Sequence, residues 1–419
     1  MFHVKHRTAD ATGIAIDPSS PDRSSPDRRT GMFHVKHRGT RLVLAALAAA
    51  ALTACTGVQA PTGWAAPVRA GDVVVVRGAE GRLTGVRLVG ASEHEVAWAF
   101  PQEEQSAGGI TNFVRGLFTS AASRPNYSAI YATPRVETVD NQPRLYVASY
   151  AGDVVALNPT DGKPISGWPE RVNVGGHVAA SPAFDGKKLY VGTGQGDVRT
   201  VDAASGSVGV AVVGTQARVW SEPLLAGGTL YVSSLDRTVR AIDPTTKAVR
   251  WTAQVDGAVA GNPALAGDLL IVPTLQSQVI ALDARTGERR WTFSGGAWFW
   301  ARPLVAGDIV YAPATDGTVY ALELATGKER WRSTTVRGEV RATPVLSGGA
   351  LLVASRTGVI AALDPATGAE RWARQLEKTA FLADPLVLES GVLYVAENGT
   401  LYRVTAPDQG TVDVLVKRG

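Results

Sequence analysis

The stretch AGDIVYAPATDGTVYALELATGKERW, from Ala306 to Trp331, holds two apolar runs and a short charged segment separated by glycine turns. Asp316-Gly317 and Thr326-Gly327 each permit a tight reversal, because glycine takes a positive φ without steric cost. The apolar runs between these turns are too short for helices and are rich in β-branched and aromatic residues, so they read as strands. Pro303 opens the unit at a strand start, where a missing N–H is tolerated.

Working outward, the same unit recurs along the chain. Its apolar triplet appears as Val74-Val75-Val76, Leu145-Tyr146-Val147, Leu189-Tyr190-Val191, Leu230-Tyr231-Val232, Leu270-Ile271-Val272, Val310-Tyr311-Ala312, Leu351-Leu352-Val353 and Leu393-Tyr394-Val395. From the second triplet onward the spacing stays between 40 and 44 residues, enough for four short strands and their turns. That period is the size of a propeller blade, and a closed ring disposes of the edges that separate sheets would leave bare. A β-helix would have shorter coils and would lack the hairpin turns. The expected fold is therefore all-β, an eight-bladed β-propeller of four-stranded antiparallel blades over residues 67–419. Seven blades are the alternative if the divergent first unit, which contains Trp98, is not a blade. Trp251, Trp291, Trp331 and Trp372 recur on the last strand of their units, where a large ring fills the widening wedge between neighbouring blades.

Charge and cysteine usage narrow the function. The chain has 42 Lys and Arg against 38 Asp and Glu, but residues 1–54 hold eight and four of these, leaving 34 of each sign. The remainder is formally neutral, which removes the basic footprint expected of a nucleic-acid binder. Leu42 to Leu52 is an apolar run following Lys36, Arg38 and Arg41, too short to span a bilayer, and it reads as the core of a signal peptide. It runs into Leu52-Thr53-Ala54-Cys55, which resembles a bacterial lipobox and contains the only cysteine. Residues 1–54 are expected to be a leader, Cys55 a lipidated N-terminus and 55–66 a linker. A single cysteine excludes an internal disulfide and a thiolate cluster, and several acyl chains together anchor far better than one. Thr56 follows Cys55; by resemblance to enteric lipoprotein sorting, the absence of Asp there permits transport to an outer membrane. The heptapeptide Met1 to Arg7 returns unchanged as Met32 to Arg38. With suitable codons its Phe-His-Val-Lys core spells a DNA palindrome resembling a chromosome-partitioning site, which places the expected start at Met32 or Val35.

The segment Ala281 to Trp291 (ALDARTGERRW) and its counterpart Ala362 to Trp372 (ALDPATGAERW) resemble the tryptophan-docking repeat of PQQ-type propellers, over nearly the whole chain after Cys55. That family includes quinoprotein alcohol dehydrogenases, the B-subunit lipoprotein of the outer-membrane barrel-assembly (Bam) machinery and sensor domains of bacterial kinases. The motif specifies fold strongly and function weakly. The quinoproteins are similar in repeat but hold PQQ beside a vicinal disulfide, with calcium on carboxylate and amide oxygens. This chain cannot form that disulfide. Its mature part has only His94 and His177, and no Gly-x-Ser-x-Gly elbow. The expectation is a non-catalytic protein with neither PQQ nor calcium, in which no metal ligands are assigned.

Loops between blades lie on the face that carries each blade's middle turn, and surface function concentrates on such loops. Two features fall there: the insertion 101–126 between blades one and two, with Phe113 and Phe118, and the run Trp298-Phe299-Trp300. Rigid aromatic rings are common interface anchors, so these five are candidate partner-binding residues, the alternative being that they pack on a neighbour or cover the channel. The residues just before the unit prolines, Thr133, Ser181, Glu222, Asn262, Arg302, Thr343 and Asp384, are expected to ring the channel mouth. Two functions follow. One is a Bam-like scaffold, lipid-tethered in the envelope, that docks on the barrel-insertion complex and holds extended clients. It would face the periplasm from an outer membrane if the organism has one, and otherwise sit on the outer face of the cytoplasmic membrane. The other is a PQQ-dependent oxidoreductase or ligand-sensing propeller.

Overall fold

The computed structural model describes residues 64–77, 82–89, 94–101 and 129–416. They form eight four-stranded antiparallel sheets, each built from four strands consecutive in sequence. In the sixth blade the strands are Leu304–Ala306, Ile309–Pro313, Val319–Glu323 and Glu329–Ser333. Its second strand is buried along its whole length, whereas its fourth, ERWRS, alternates between covered and bare. A strand covered on both faces by neighbouring blades reads as a continuous apolar run, whereas the outermost strand alternates. Charges on that outer strand also discourage edge-to-edge pairing.

The first unit is a blade. Trp98 sits on its fourth strand, His94–Phe100, and donates its indole N–H to the Pro159 carbonyl of blade two at 2.9 Å. Trp251, Trp291, Trp331 and Trp372 do the same to Ala284, Leu324, Pro365 and Pro407, at 2.7–3.1 Å. Each of these tryptophans also lies flat against a turn glycine of the next blade. A Cβ on Gly327, whose φ is +69°, would sit 2.5 Å from Cε3 of Trp291. The glycine of the Thr-Gly turn therefore meets two demands, a left-handed backbone and a ring at van der Waals distance. The seven-bladed alternative falls with this arrangement.

Three seams depart from it: four residues past its turn glycine, blade two has Ser166, blade three Val210 and blade eight Val414. Blade three has no tryptophan at this point: Val210, four residues past turn glycine Gly206, is 69% exposed. The facing turn of blade four carries Lys247 in place of glycine, at φ +62°. With no ring to receive, the turn keeps its handedness but not its residue.

The ring closes without exchanging a strand. Val74, Val76 and Val86 of blade one pack with Leu393, Val395, Leu401 and Leu415 of blade eight, and Arg77 Nη2 donates to the Glu397 carbonyl at 2.7 Å. Burial of each such aliphatic side chain contributes about 1.5–3 kcal/mol, so side-chain packing alone makes a substantial latch. The turns before the outer strands are fastened by carboxylates: Asp283 accepts from the N–H groups of Arg285 and Thr286 and pairs with Arg290. The guanidinium of Arg290 beside Asp283, and that of Arg371 beside Asp364, hold both carboxyls down at about 2.

Candidate functional site

Every blade is led in by four residues ending at its proline: Trp64-Ala65-Ala66-Pro67, Tyr131-Ala132-Thr133-Pro134, Ala179-Ala180-Ser181-Pro182, Trp220-Ser221-Glu222-Pro223, Ala260-Gly261-Asn262-Pro263, Trp300-Ala301-Arg302-Pro303, Arg341-Ala342-Thr343-Pro344 and Leu382-Ala383-Asp384-Pro385. Their first residues all line one axial cavity of about 210 Å³. The first strands therefore surround the axis. The second position is always small because neighbouring lead-ins pack closely; a Cβ on Gly261 would collide with the Trp300 carbonyl oxygen. The residue ahead of each quartet is buried wherever it is described: Ile130, Val178, Val219, Val259, Phe299, Val340 and Phe381 are all 1% exposed or less.

Backbone bonds fix which face the cavity opens on. In blades two to eight the N–H of the middle turn donates to its own blade's lead-in loop, as Tyr150 does to Ala129, Leu235 to Arg218 and Thr315 to Trp298. Middle turns and lead-in loops share one face.

The residues before the prolines stitch blades together. The Thr133 N–H donates to Ser181 Oγ at 3.0 Å, the Glu222 N–H to Asn262 Oδ1 at 2.7 Å and the Thr343 N–H to Asp384 Oδ1 at 2.6 Å. Arg302 spans from blade six to blade four, its Nη2 donating to Glu222 Oε2. Arg135 approaches the other Glu222 oxygen at 4.0 Å and pairs with Glu137 at 2.6 Å. Desolvation is the largest influence on Glu222 and raises its pKa, against the lowering pull of Arg302 and Arg135. Ser181, Asn262, Arg302 and Asp384 line the cavity together with Thr133. Glu222 and Thr343 reach this belt through the bonds just described.

The aromatic candidates separate. Trp298 is 55% exposed, on the face shared by the turns and lead-ins. Trp300 lines the cavity, with the Arg341 guanidinium 4.6 Å from its ring centre. Phe299 corrects the sequence expectation of a surface anchor. It is 1% exposed, packed edge-on against Tyr320 and Phe293, because it occupies the buried position ahead of its quartet. Phe113, Phe118 and Cys55 lie outside the described residues. Among those described, no group of three or more His, Cys, Asp or Glu gathers at metal-binding distance.

The family model described as "Outer membrane protein assembly factor BamB" matches residues 120–222, 210–342 and 315–413. The chain belongs to this BamB family. Among solved structures, BamB from Moraxella catarrhalis superposes with a TM-score of 0.62 at 19% identity, covering 80% of this chain and 94% of that one. The computationally designed Ika8 protein matches with a TM-score of 0.63 at 15% identity, over 82% of this chain and 96% of its own. At such identities the likeness is one of fold. No curated protein matches the sequence.

For this BamB-family chain the proline-anchored alignment, read one residue back, yields the polar belt. It misses the cavity's aromatic wall of Trp64, Tyr131, Trp220 and Trp300, which stands two residues further upstream in the same alignment. Tyr150, from a middle turn, completes that wall.

Proposed function

We propose that this chain is an exported lipoprotein, tethered through acylated Cys55, that serves as a non-catalytic scaffold for other envelope proteins in the manner of an outer-membrane protein assembly factor. Membership of the BamB family supports the assembly role. The single observation that carries the docking face is Trp298, a large ring left bare among the converging turns and lead-in loops. Such a ring offers a partner much apolar area for little lost entropy. The partners in this reading are the barrel-insertion complex and its extended clients, or other envelope proteins where the host has no outer membrane. The reading assigns no part to PQQ or calcium; the cavity's cations, Arg302 and Arg341, are already paired with carboxylates and offer little to a polyanionic quinone.

A photoreactive residue at position 298 of the full chain, activated in the native host, is expected to capture envelope proteins. The same probe at Val249, on an outer strand, should capture few. Equal labelling at both positions would remove Trp298 from the docking face. Separately, Cys55→Ala is expected to move the protein from the membrane fraction into the soluble one, read by fractionation and blotting. Retention on the membrane would mean a different anchor.

A further inference from the structure

We propose that the axial cavity is a carbohydrate site, taking one neutral sugar ring, a role separate from the scaffold reading. The starting point is a contrast among the tryptophans. Five indoles, Trp98, Trp251, Trp291, Trp331 and Trp372, donate their N–H to a neighbouring blade. The three that line the cavity, Trp64, Trp220 and Trp300, donate to nothing among the described residues and are half-buried. Trp168, buried against Gly206 of the next blade, also has no partner for its N–H, so what sets the cavity three apart is that their half-buried rings line one space together with polar groups.

The polar floor is equally open. Ser181 and Asn262 accept backbone N–H bonds, which leaves the hydroxyl hydrogen and the amide NH2 to donate. Asp384 accepts the Thr343 N–H on one oxygen and makes no ion pair among the described residues. Charge then selects the ligand class. Arg302 and Arg341, the two cations of the lining, are paired with Glu222 and Glu339, so two cations face three carboxylates once Asp384 is included. This belt does not attract an anion. An ammonium ligand brings donors only and would leave the indole, amide and hydroxyl donors unmatched, beside two guanidiniums. An apolar ligand would strip water from all of them without replacing a hydrogen bond. A neutral polyol ring meets each requirement: its hydroxyls both donate and accept, and its C–H faces lie against the electron-rich faces of indole and phenol. A volume of about 210 Å³ holds one six-membered ring with its substituents.

The test is saturation-transfer NMR with parallel tryptophan fluorescence on the full-length protein. The probes are glucose, N-acetylglucosamine and maltotriose, with glucuronate, choline and PQQ as competitors of other classes. A saturable signal from a neutral sugar is expected. It should weaken about tenfold in Asp384→Asn, which still accepts the Thr343 N–H, and in Trp300→Phe, which keeps a ring but loses the donor. Val249→Ala on the outer rim should bind as the native chain does, and unchanged far-UV circular dichroism separates lost contacts from lost fold. The proposal is overturned if none of the three neutral sugars saturates, if glucuronate, choline or PQQ binds in their place, or if both cavity variants bind as tightly as the native chain. Crosslinking at position 298 reads the scaffold independently, so either idea can fail alone.

Discussion

Gly327→Lys is expected to lower the stability of the ring by about 4 kcal/mol or to prevent folding, while Lys247→Gly at the matching turn two blades earlier changes it by less than about 1 kcal/mol. The two positions share a left-handed backbone, φ +69° and +62°. What differs is the neighbour. Any side chain at 327 starts 2.5 Å from the Trp291 ring. The indole must then swing out of the wedge, losing its packing and its bond to the Leu324 carbonyl. Lys247 faces blade three, where Val210 stands in place of a tryptophan, and replacing it by glycine relieves left-handed strain at a small entropic cost. Chemical denaturation followed by tryptophan fluorescence measures both. Equal effects at the two turns would mean that the glycine serves backbone conformation alone.

Glu222→Leu is expected to cost about 2 kcal/mol, because it leaves Arg302 and Arg135 facing each other across the channel without their shared counter-charge. Arg302 is a third exposed and Glu222 a fifth, so solvent screening keeps the loss below that of a fully buried pair. The double variant Glu222→Leu with Arg302→Leu should recover most of it, the mark of a coupled pair. A pH series supplies the sign. Burial raises the Glu222 pKa above the ordinary 4.5, so the folded state holds this proton more tightly than the unfolded chain does. The associated stability is present below the unfolded value and is lost as pH rises through the folded one. Glu222→Gln should lack that decline. Identical pH profiles for the native chain and Glu222→Gln would show that the group titrates as freely in the ring as in the unfolded chain.

These two variants probe different layers. The turn glycines and outer tryptophans hold neighbouring blades in register, and the polar belt ties blades near the axis, including two that are not adjacent. The scaffold reading uses the face above that belt, and the carbohydrate reading uses the space inside it.

The amino-acid sequence by itself determined the propeller architecture, the strand order within each blade and the docking tryptophans of blades four to seven. These depend on local turns and on a period of 40–44 residues, and both are written along the chain. Tertiary structure alone decided the status of the first unit, since the bond from Trp98 to Pro159 joins residues 61 apart across an irregular interval. It also decided that Phe299 is core while Trp298 and Trp300, its immediate neighbours, are bare or line the cavity, because successive side chains of an extended lead-in point to opposite sides. The reach of Arg302 to Glu222, skipping a blade, follows from ring closure and from nothing in the spacing of the two residues.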